Sequence, residues 1–284
     1  MAKPELIELA TSCFGLTVDE QLPIGESFAS EVLRFRSGRQ CYVLKRPFSL
    51  EKAEREYFWL KRLSHCPFVP DALEITKAND HGLILMTSLE GMPLKSFHQL
   101  SHRDLSKLGH DLRALHTVSA DSFDGHKSWR ELLLSNTDRY IDKIIGPARK
   151  TAEMAYARFH EGIDEIPDSY LPTATHFDFR DGNILADESG YTGIIDFESM
   201  RGGHASMDFF KLLTHPSDMN DIELTALLAG YGSADWLESM AQLKHLVACY
   251  AVYHGLAGLA WCSQREQTST EFYQRCAGFL EQGR

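Results

Sequence analysis

His176-Phe177-Asp178-Phe179-Arg180-Asp181-Gly182-Asn183-Ile184-Leu185, with Ile194-Ile195-Asp196-Phe197-Glu198 following it, is the stretch on which the reading of this chain turns. Asp178 and Asn183 stand five residues apart across a glycine-containing loop, so both side chains can face one cavity. Residues 183–186 and 191–196 read as two short strands joined by Glu188-Ser189-Gly190. The second strand can carry Asp196 to a position beside the first two residues. Two carboxylates and an amide oxygen form a hard, oxygen-only donor set, which suits Mg²⁺ and not zinc. Phosphoryl transfer requires such a set. A divalent cation must bridge the nucleotide phosphates, and one carboxylate must orient the attacking hydroxyl and accept its proton.

Composition agrees with an enzyme. The 284 residues are 43% hydrophobic and 24% charged, which excludes wholesale disorder. Lys and Arg total 29 against 40 Asp and Glu, a net charge of −11. That balance opposes binding to duplex nucleic acid and favours a cationic small molecule. The acidity is uneven: residues 1–90 hold 11 basic and 13 acidic side chains, residues 91–284 hold 18 and 27. Cys13, Cys41, Cys66, Cys249, Cys262 and Cys276 form no C-x-x-C pair and read as free thiols in a reducing compartment. The first residues, MAKPELIELA, lack the pattern of a signal peptide. Residues 243–262 are apolar but interrupted by Lys244, His245 and His254, so a buried core helix is expected and no membrane span. The expected location is the cytoplasm.

Upstream, helical spacing predicts a helix from Pro4 to Phe14, strands over 21–24 and 30–35 around Gly25-Glu26-Ser27, and a third strand over 41–45. A helix over 50–63, N-capped by Ser49, and a strand over 83–87 follow. Glu90-Gly91-Met92-Pro93 breaks the pattern and sets a boundary, giving domains 1–90 and 91–284. The second is mostly helical: 101–117, 128–160, 205–214, 219–230, 234–241, 242–262 and 269–281.

The pattern H-x-D-x-x-x-x-N, then an apolar strand ending in D-F-E, resembles the catalytic and metal-binding loops of the protein-kinase-like superfamily. It is most similar to the aminoglycoside phosphotransferase and choline kinase family, whose loop reads H-G-D-x-x-x-x-N. Phe177 stands here in place of that glycine. The resemblance extends from about Leu22 to about Leu213. It implies an α+β, two-lobed protein-kinase-like fold, with a small antiparallel-sheet N-lobe and a mostly helical C-lobe. It makes Asp178 the catalytic base and Asn183 and Asp196 the Mg²⁺ ligands, with Glu198 assisting through a water or a second ion. Lys45, ending Tyr42-Val43-Leu44-Lys45, would bind the α- and β-phosphates. Glu56, in a segment that fits E-x-x-x-L-x-x-L, would hold its ammonium. Gly25 and Ser27 fall in the phosphate-covering loop. Met86 would flank the purine base, with the Thr87 carbonyl and Leu89 amide hydrogen-bonding it. His176 and Asp208 are expected to brace the loop, and Arg180 to steady a transferred phosphoryl group. His116 is expected to be packed, with no catalytic role.

The function implied is transfer of the γ-phosphoryl group of Mg-ATP or Mg-GTP to a hydroxyl of an aminoglycoside-like or other small cationic acceptor. The alternatives are a metabolic kinase for choline, a sugar or an amino alcohol, and an inactive nucleotide-binding scaffold. The acidic stretch Glu161–Glu165 and the aromatics Tyr250, Tyr253 and Trp261 fit a cationic acceptor in the first two cases. The short stretch between Asp196 and Asp208 leaves little room for a peptide platform.

Overall fold

The structure, a computed structural model, describes residues 4–25, 30–78, 81–214 and 219–282. Helix α1 (Pro4–Phe14) leads into strands β1 (Glu20–Gln21), β2 (Ser30–Ser37) and β3 (Gln40–Pro47). Helix α2 (Leu50–Arg62), strands β4 (Ala72–Ala78), β5 (His81–Thr87) and β6 (Met92–Pro93), and helices α3 (His102–Thr117), α4 (Trp129–Ile141) and α5 (Arg149–Glu161) follow. After β7 (Thr173–Thr175), β8 (Ile184–Asp187), β9 (Gly190–Ile194) and β10 (Arg201–Gly203), the chain closes with α6 (Phe210–Thr214), α7 (Asp221–Tyr231), α8 (Met240–Ser263) and α9 (Glu271–Gln282). It folds as two compact units. One comprises Met1–Leu115, His176–Met200 and His215–Gly232, the other His116–Thr175, Arg201–Thr214 and Ser233–Arg284.

The first unit is built on an antiparallel sheet of order β1-β2-β3-β5-β4. Alternation along the strands sorts its residues between two faces. Leu33, Phe35, Leu44, Leu83 and Leu85 pack with Leu6 and Ala10 of α1 into one buried cluster. The intervening residues Ser30, Val32 and Arg34 of β2, with Val43 and Lys45 of β3, line a cavity instead. Helix α2 starts where the Ser49 hydroxyl accepts the Lys52 N–H, and it buries Ala53, Glu56, Trp59 and Leu60. A smaller sheet, β6-β8-β9, whose strand β8 follows the loop of Asp178 and Asn183, lies in the same unit.

The second unit packs α4, α5, α6, α8 and α9 with the β7–β10 pair. By length and composition α8 could cross a membrane, but 67% of its apolar window is buried within the protein. It is the core helix expected from its sequence.

Several boundaries differ from expectation. The strand predicted over 21–24 is confined to Glu20–Gln21, since Pro23 has no N–H to extend the ladder. The helix predicted over 128–160 is two, α4 and α5, interrupted near Gly146 at φ 88° and Pro147. Where a helix was expected over 234–241, Ala234 and Leu237 form an isolated bridge, and only residues 240–241 are helical, as the start of α8. Strand β4 escaped notice because most of its residues are exposed or half-buried and its polar positions mask the alternation.

In the first unit α3 and α7 approach backbone to backbone. A Cβ on Gly109 would lie 2.0 Å from the Leu227 carbonyl oxygen, and one on Gly230 would lie 1.7 Å from that of Ser106. Neither backbone can yield cheaply. Gly230→Ala is therefore expected to destabilise the protein by about 1–3 kcal/mol, read as a fall of several degrees in the thermal midpoint. An unchanged midpoint would show that the helices separate freely.

Candidate active site

The site begins with one buried cation. Strand β3 ends by placing the Lys45 ammonium 2.7 Å from Glu56 Oε2, 2.6 Å from Asp196 Oδ1 and 3.3 Å from Glu198 Oε2. Lys45, Glu56 and Glu198 are buried, while 32% of the Asp196 side chain stays exposed. Burial opposes the charge on Lys45, but the carboxylates of Asp196, Glu56 and Glu198 outweigh it and hold the ammonium well above its ordinary pKa. Glu56 is pushed the other way for an acid. Burial raises its carboxyl to about 7 against the pull of Lys45, and Asp196 and Glu198 add to the rise.

The chain around Asp196 is shaped to keep this cluster. Asp196, two residues beyond β9, takes the left-handed region, φ 68°, and the next N–H, that of Phe197, donates to Glu56 Oε1 at 3.2 Å. Glu56 thus joins the ammonium to the turn that follows β9. Glu198 is engaged at both oxygens: Oε1 accepts from Lys52 Nζ at 2.5 Å and Oε2 from the Ser30 hydroxyl at 2.8 Å. Lys45 lowers its pKa against burial, with Lys52 and Ser30 adding to the effect.

The loop carrying Asp178 is organised by His176. The buried imidazole donates from Nε2 to the Ile195 carbonyl at 3.1 Å and accepts the Asp178 N–H at Nδ1, 3.2 Å away, which defines the tautomer. Phe177 then takes φ 64°, the conformation a glycine would adopt at no steric cost. Asn183 Nδ2 donates to the Asp178 backbone oxygen at 2.8 Å and to its Oδ2 at 3.0 Å. The Arg180 guanidinium lies 3.6 Å from Asp178 Oδ1. With Nδ2 turned to Asp178, Oδ1 is the acceptor that the Asn183 amide offers elsewhere.

Lys45, Glu56, Asp178, Asn183, Asp196 and Glu198 line one cavity of about 320 Å³, in the range of small-molecule sites. Gly25, Met86, Thr87 and Leu89 line it too. Ser27 lies outside the described residues. Met86 is buried beneath the cavity. The Thr87 amide and hydroxyl are both tied to the Asp71 backbone, whereas the Leu89 N–H has no acceptor among the described residues.

The donors fit magnesium. Asn183 Oδ1 and the half-exposed Asp196 carboxylate are hard oxygens on the same cavity, and Glu56, Asp196 and Glu198 bring carboxylate oxygens within 4.8 Å of one another.

Three residues here were not picked out in the sequence. Arg34 donates to Ser88 Oγ at 2.7 Å and to the carbonyls of Gly91 and Leu89 at 3.0 Å each, pinning the segment after β5. Strand alternation with Ser30 and Val32 was its available signal. Ser30 was open to the same reasoning. Lys52 lies one helical turn before Glu56, so its signal was the i,i+4 spacing. His116 is packed as expected: it is buried, with Nε2 3.0 Å from Asp208 Oδ2. The aromatics expected at a cationic acceptor resolve differently. Tyr250 bonds Trp129 and Ser206, and Tyr253 bonds Asn136, so both tyrosines are core residues and offer no cage for a quaternary ammonium.

A sequence model of the phosphotransferase enzyme family matches residues 20–246, and the chain belongs to that family. Solved structures share the protein-kinase-like fold at low identity. A thermostable variant of aminoglycoside phosphotransferase APH(4)-Ia, in ternary complex with ADP and hygromycin B, is 15% identical with a TM-score of 0.68, covering 98% of this chain and 99% of that one. The GDP complex of an aminoglycoside 2'-phosphotransferase-IIIa variant is 15% identical with a TM-score of 0.71, covering 98% and 96%. The macrolide 2'-phosphotransferase MphH from Brachybacterium faecium is 18% identical with a TM-score of 0.67, covering 98% of each. Comparison with curated proteins finds no match.

The raised Glu56 carboxyl gives a pH test. Its native state holds the proton more tightly than the unfolded chain, whose carboxyl titrates near the ordinary value of 4.5. Its contribution to stability is therefore full below about 4.5 and is lost as pH rises through about 7. In chelator-containing buffer, wild type should lose stability relative to Glu56→Gln between pH 5 and pH 8. Parallel stability curves over that range would show that Glu56 is already ionised in the fold at pH 5.

Proposed function

We propose that this phosphotransferase moves the γ-phosphoryl group of Mg-ATP or Mg-GTP to a hydroxyl of a small, aminoglycoside-like cationic acceptor. The observation that carries the reading is the convergence of Lys45, Glu56, Asp178, Asn183 and Asp196 on one cavity. Residues 1–90 supply the nucleotide side of the site and residues 91–284 the catalytic loop and acceptor side.

In this mechanism Lys45, held by Glu56, donates to the α- and β-phosphates. Gly25, which lines the cavity, would open the phosphate-covering loop. Leu89 offers its N–H to the purine, with the Thr87 carbonyl as a second contact and Met86 against the ring. Asn183 and Asp196 would hold Mg²⁺, which would neutralise phosphate charge when bound, and Glu198 would assist through a water or a second ion. Asp178 orients the acceptor hydroxyl and takes its proton as the new O–P bond forms and the bond to the nucleotide's β-phosphate oxygen breaks. Asn183 fixes the Asp178 carboxylate for that task, and Arg180 lies close enough to steady the transferred group.

The acceptor class rests on the acidity of residues 91–284 and on the antibiotics named for the structural neighbours. The alternative acceptors, choline, a sugar or an amino alcohol, use the same site; burial of Tyr250 and Tyr253 removes their part in binding a cation in either reading, while Trp261 stays exposed.

Two experiments test the reading. Asp178→Asn should lower turnover by about 10²-fold or more on an aminoglycoside and macrolide panel while keeping nucleotide binding; full turnover in the variant rejects Asp178 as the base. Mg-ATP or Mg-GTP at a hundred times its dissociation constant should stabilise the protein by about 2.7 kcal/mol, raising the midpoint on the order of 5 °C. Lys45→Ala should abolish the rise. A rise without turnover on any acceptor would indicate an inactive scaffold.

A further inference from the structure

A second cluster of ligating side chains lies in the second unit, apart from the residues of the active-site cavity. His245 and Cys249 stand one turn apart on α8 and so share a face. Glu165 reaches them from the single 3-10 turn Ile163–Glu165 that follows α5. Glu165 Oε2 is 3.1 Å from His245 Nε2, and Cys249 Sγ is 3.9 Å from each of them. The three donor atoms therefore form a closed triangle, each corner from a different residue type.

Its dimensions are those of a metal face. Tetrahedral zinc with ligands at about 2.0–2.3 Å separates its donors by about 3.3–3.6 Å along each edge. The observed edges bracket that value, so side-chain rotation of a few tenths of an ångström would close the set on an ion. The donor chemistry selects the ion. A thiolate, an imidazole and one carboxylate suit zinc, in contrast to the all-oxygen donors at Asn183 and Asp196.

The turn that carries Glu165 is fixed independently of any ion. Arg130 donates to the Ile166 carbonyl at 2.6 Å, to Asp164 Oδ1 at 2.5 Å and to the Asp164 carbonyl at 2.8 Å. Ile166 is buried just beyond it. Glu165 and His245 remain more than half exposed, so solvent reaches the triangle and can supply the fourth ligand.

We propose that Glu165, His245 and Cys249 form a zinc-binding site with three protein ligands and one open, water-filled position. Zinc binding replaces the thiol proton of Cys249, which passes to solvent, and no electron transfer is involved. The ion would tie the turn after α5 to α8 across the sequence.

The test uses the full chain, stripped by chelator and titrated with Zn²⁺ against a chromophoric competitor, with excess Mg²⁺ present to occupy hard oxygen sites. Cobalt(II) serves as the spectroscopic probe. The expected result is about one bound zinc per chain and a thiolate-to-cobalt charge-transfer band, with affinity falling at least ~10-fold in His245→Ala or Cys249→Ser. The double variant should lose stoichiometric binding. Asp196→Asn should leave zinc binding unchanged, separating this site from the nucleotide site. Circular dichroism verifies folding, and Glu165→Gln, at an exposed position, gives a variant least able to disturb the core. Absence of binding in wild type, equal affinity in the double variant, or a cobalt spectrum without the thiolate band would overturn the proposal.

Discussion

The ammonium of Lys45 is the point on which the active-site unit depends. Removing a lysine charge from water costs several kcal/mol unless close, well-oriented partners replace the lost hydration. Here the partners come from three parts of the chain: Glu56 from α2, Asp196 from just beyond β9 and Glu198 from the turn after it. Each must be correctly placed for the others to be satisfied. The left-handed Asp196 and the Phe197 N–H bonded to Glu56 follow from that demand, because they bring a strand end and a helix to the same cation.

Much of this was legible in the sequence, and for a definable reason. Lys45, Glu56, Asp178, Asn183 and Asp196 occur at separations fixed by local elements, and an ordered set of chemical types at such spacings is hard to obtain by accident. The antiparallel sheet was legible through Tyr42-Val43-Leu44-Lys45 and the apolar run of β5, whose buried residues announce themselves. What escaped was material whose role depends on a partner distant in sequence. Arg34 reads as an ordinary strand arginine until the segment after β5 folds over it. Lys52 reads as a surface helix residue until Glu198 arrives 146 positions later. Gly146 and Pro147 did signal a break, but helical periodicity on either side concealed it.

The two clusters of ligating residues differ in chemical character as well as place. The active-site cavity gathers oxygen donors beside lysines, an environment for phosphate and a hard cation. The Glu165–His245–Cys249 triangle mixes a carboxylate, an imidazole and a thiol. A single chain can keep two such ions apart because donor softness discriminates between them before geometry does.

The grip of Arg34 on Ser88, Leu89 and Gly91 has a consequence for ligand design. The segment after β5 is held by a planar, multidentate guanidinium, a geometry that lysine could not reproduce. Its shape is therefore set before any nucleotide arrives, and a ligand bears none of the entropic cost of ordering it. A small, rigid heterocycle with one acceptor aimed at the Leu89 N–H and a flat face for Met86 would meet a preformed surface, so inhibitors of this protein need not carry phosphates to bind well.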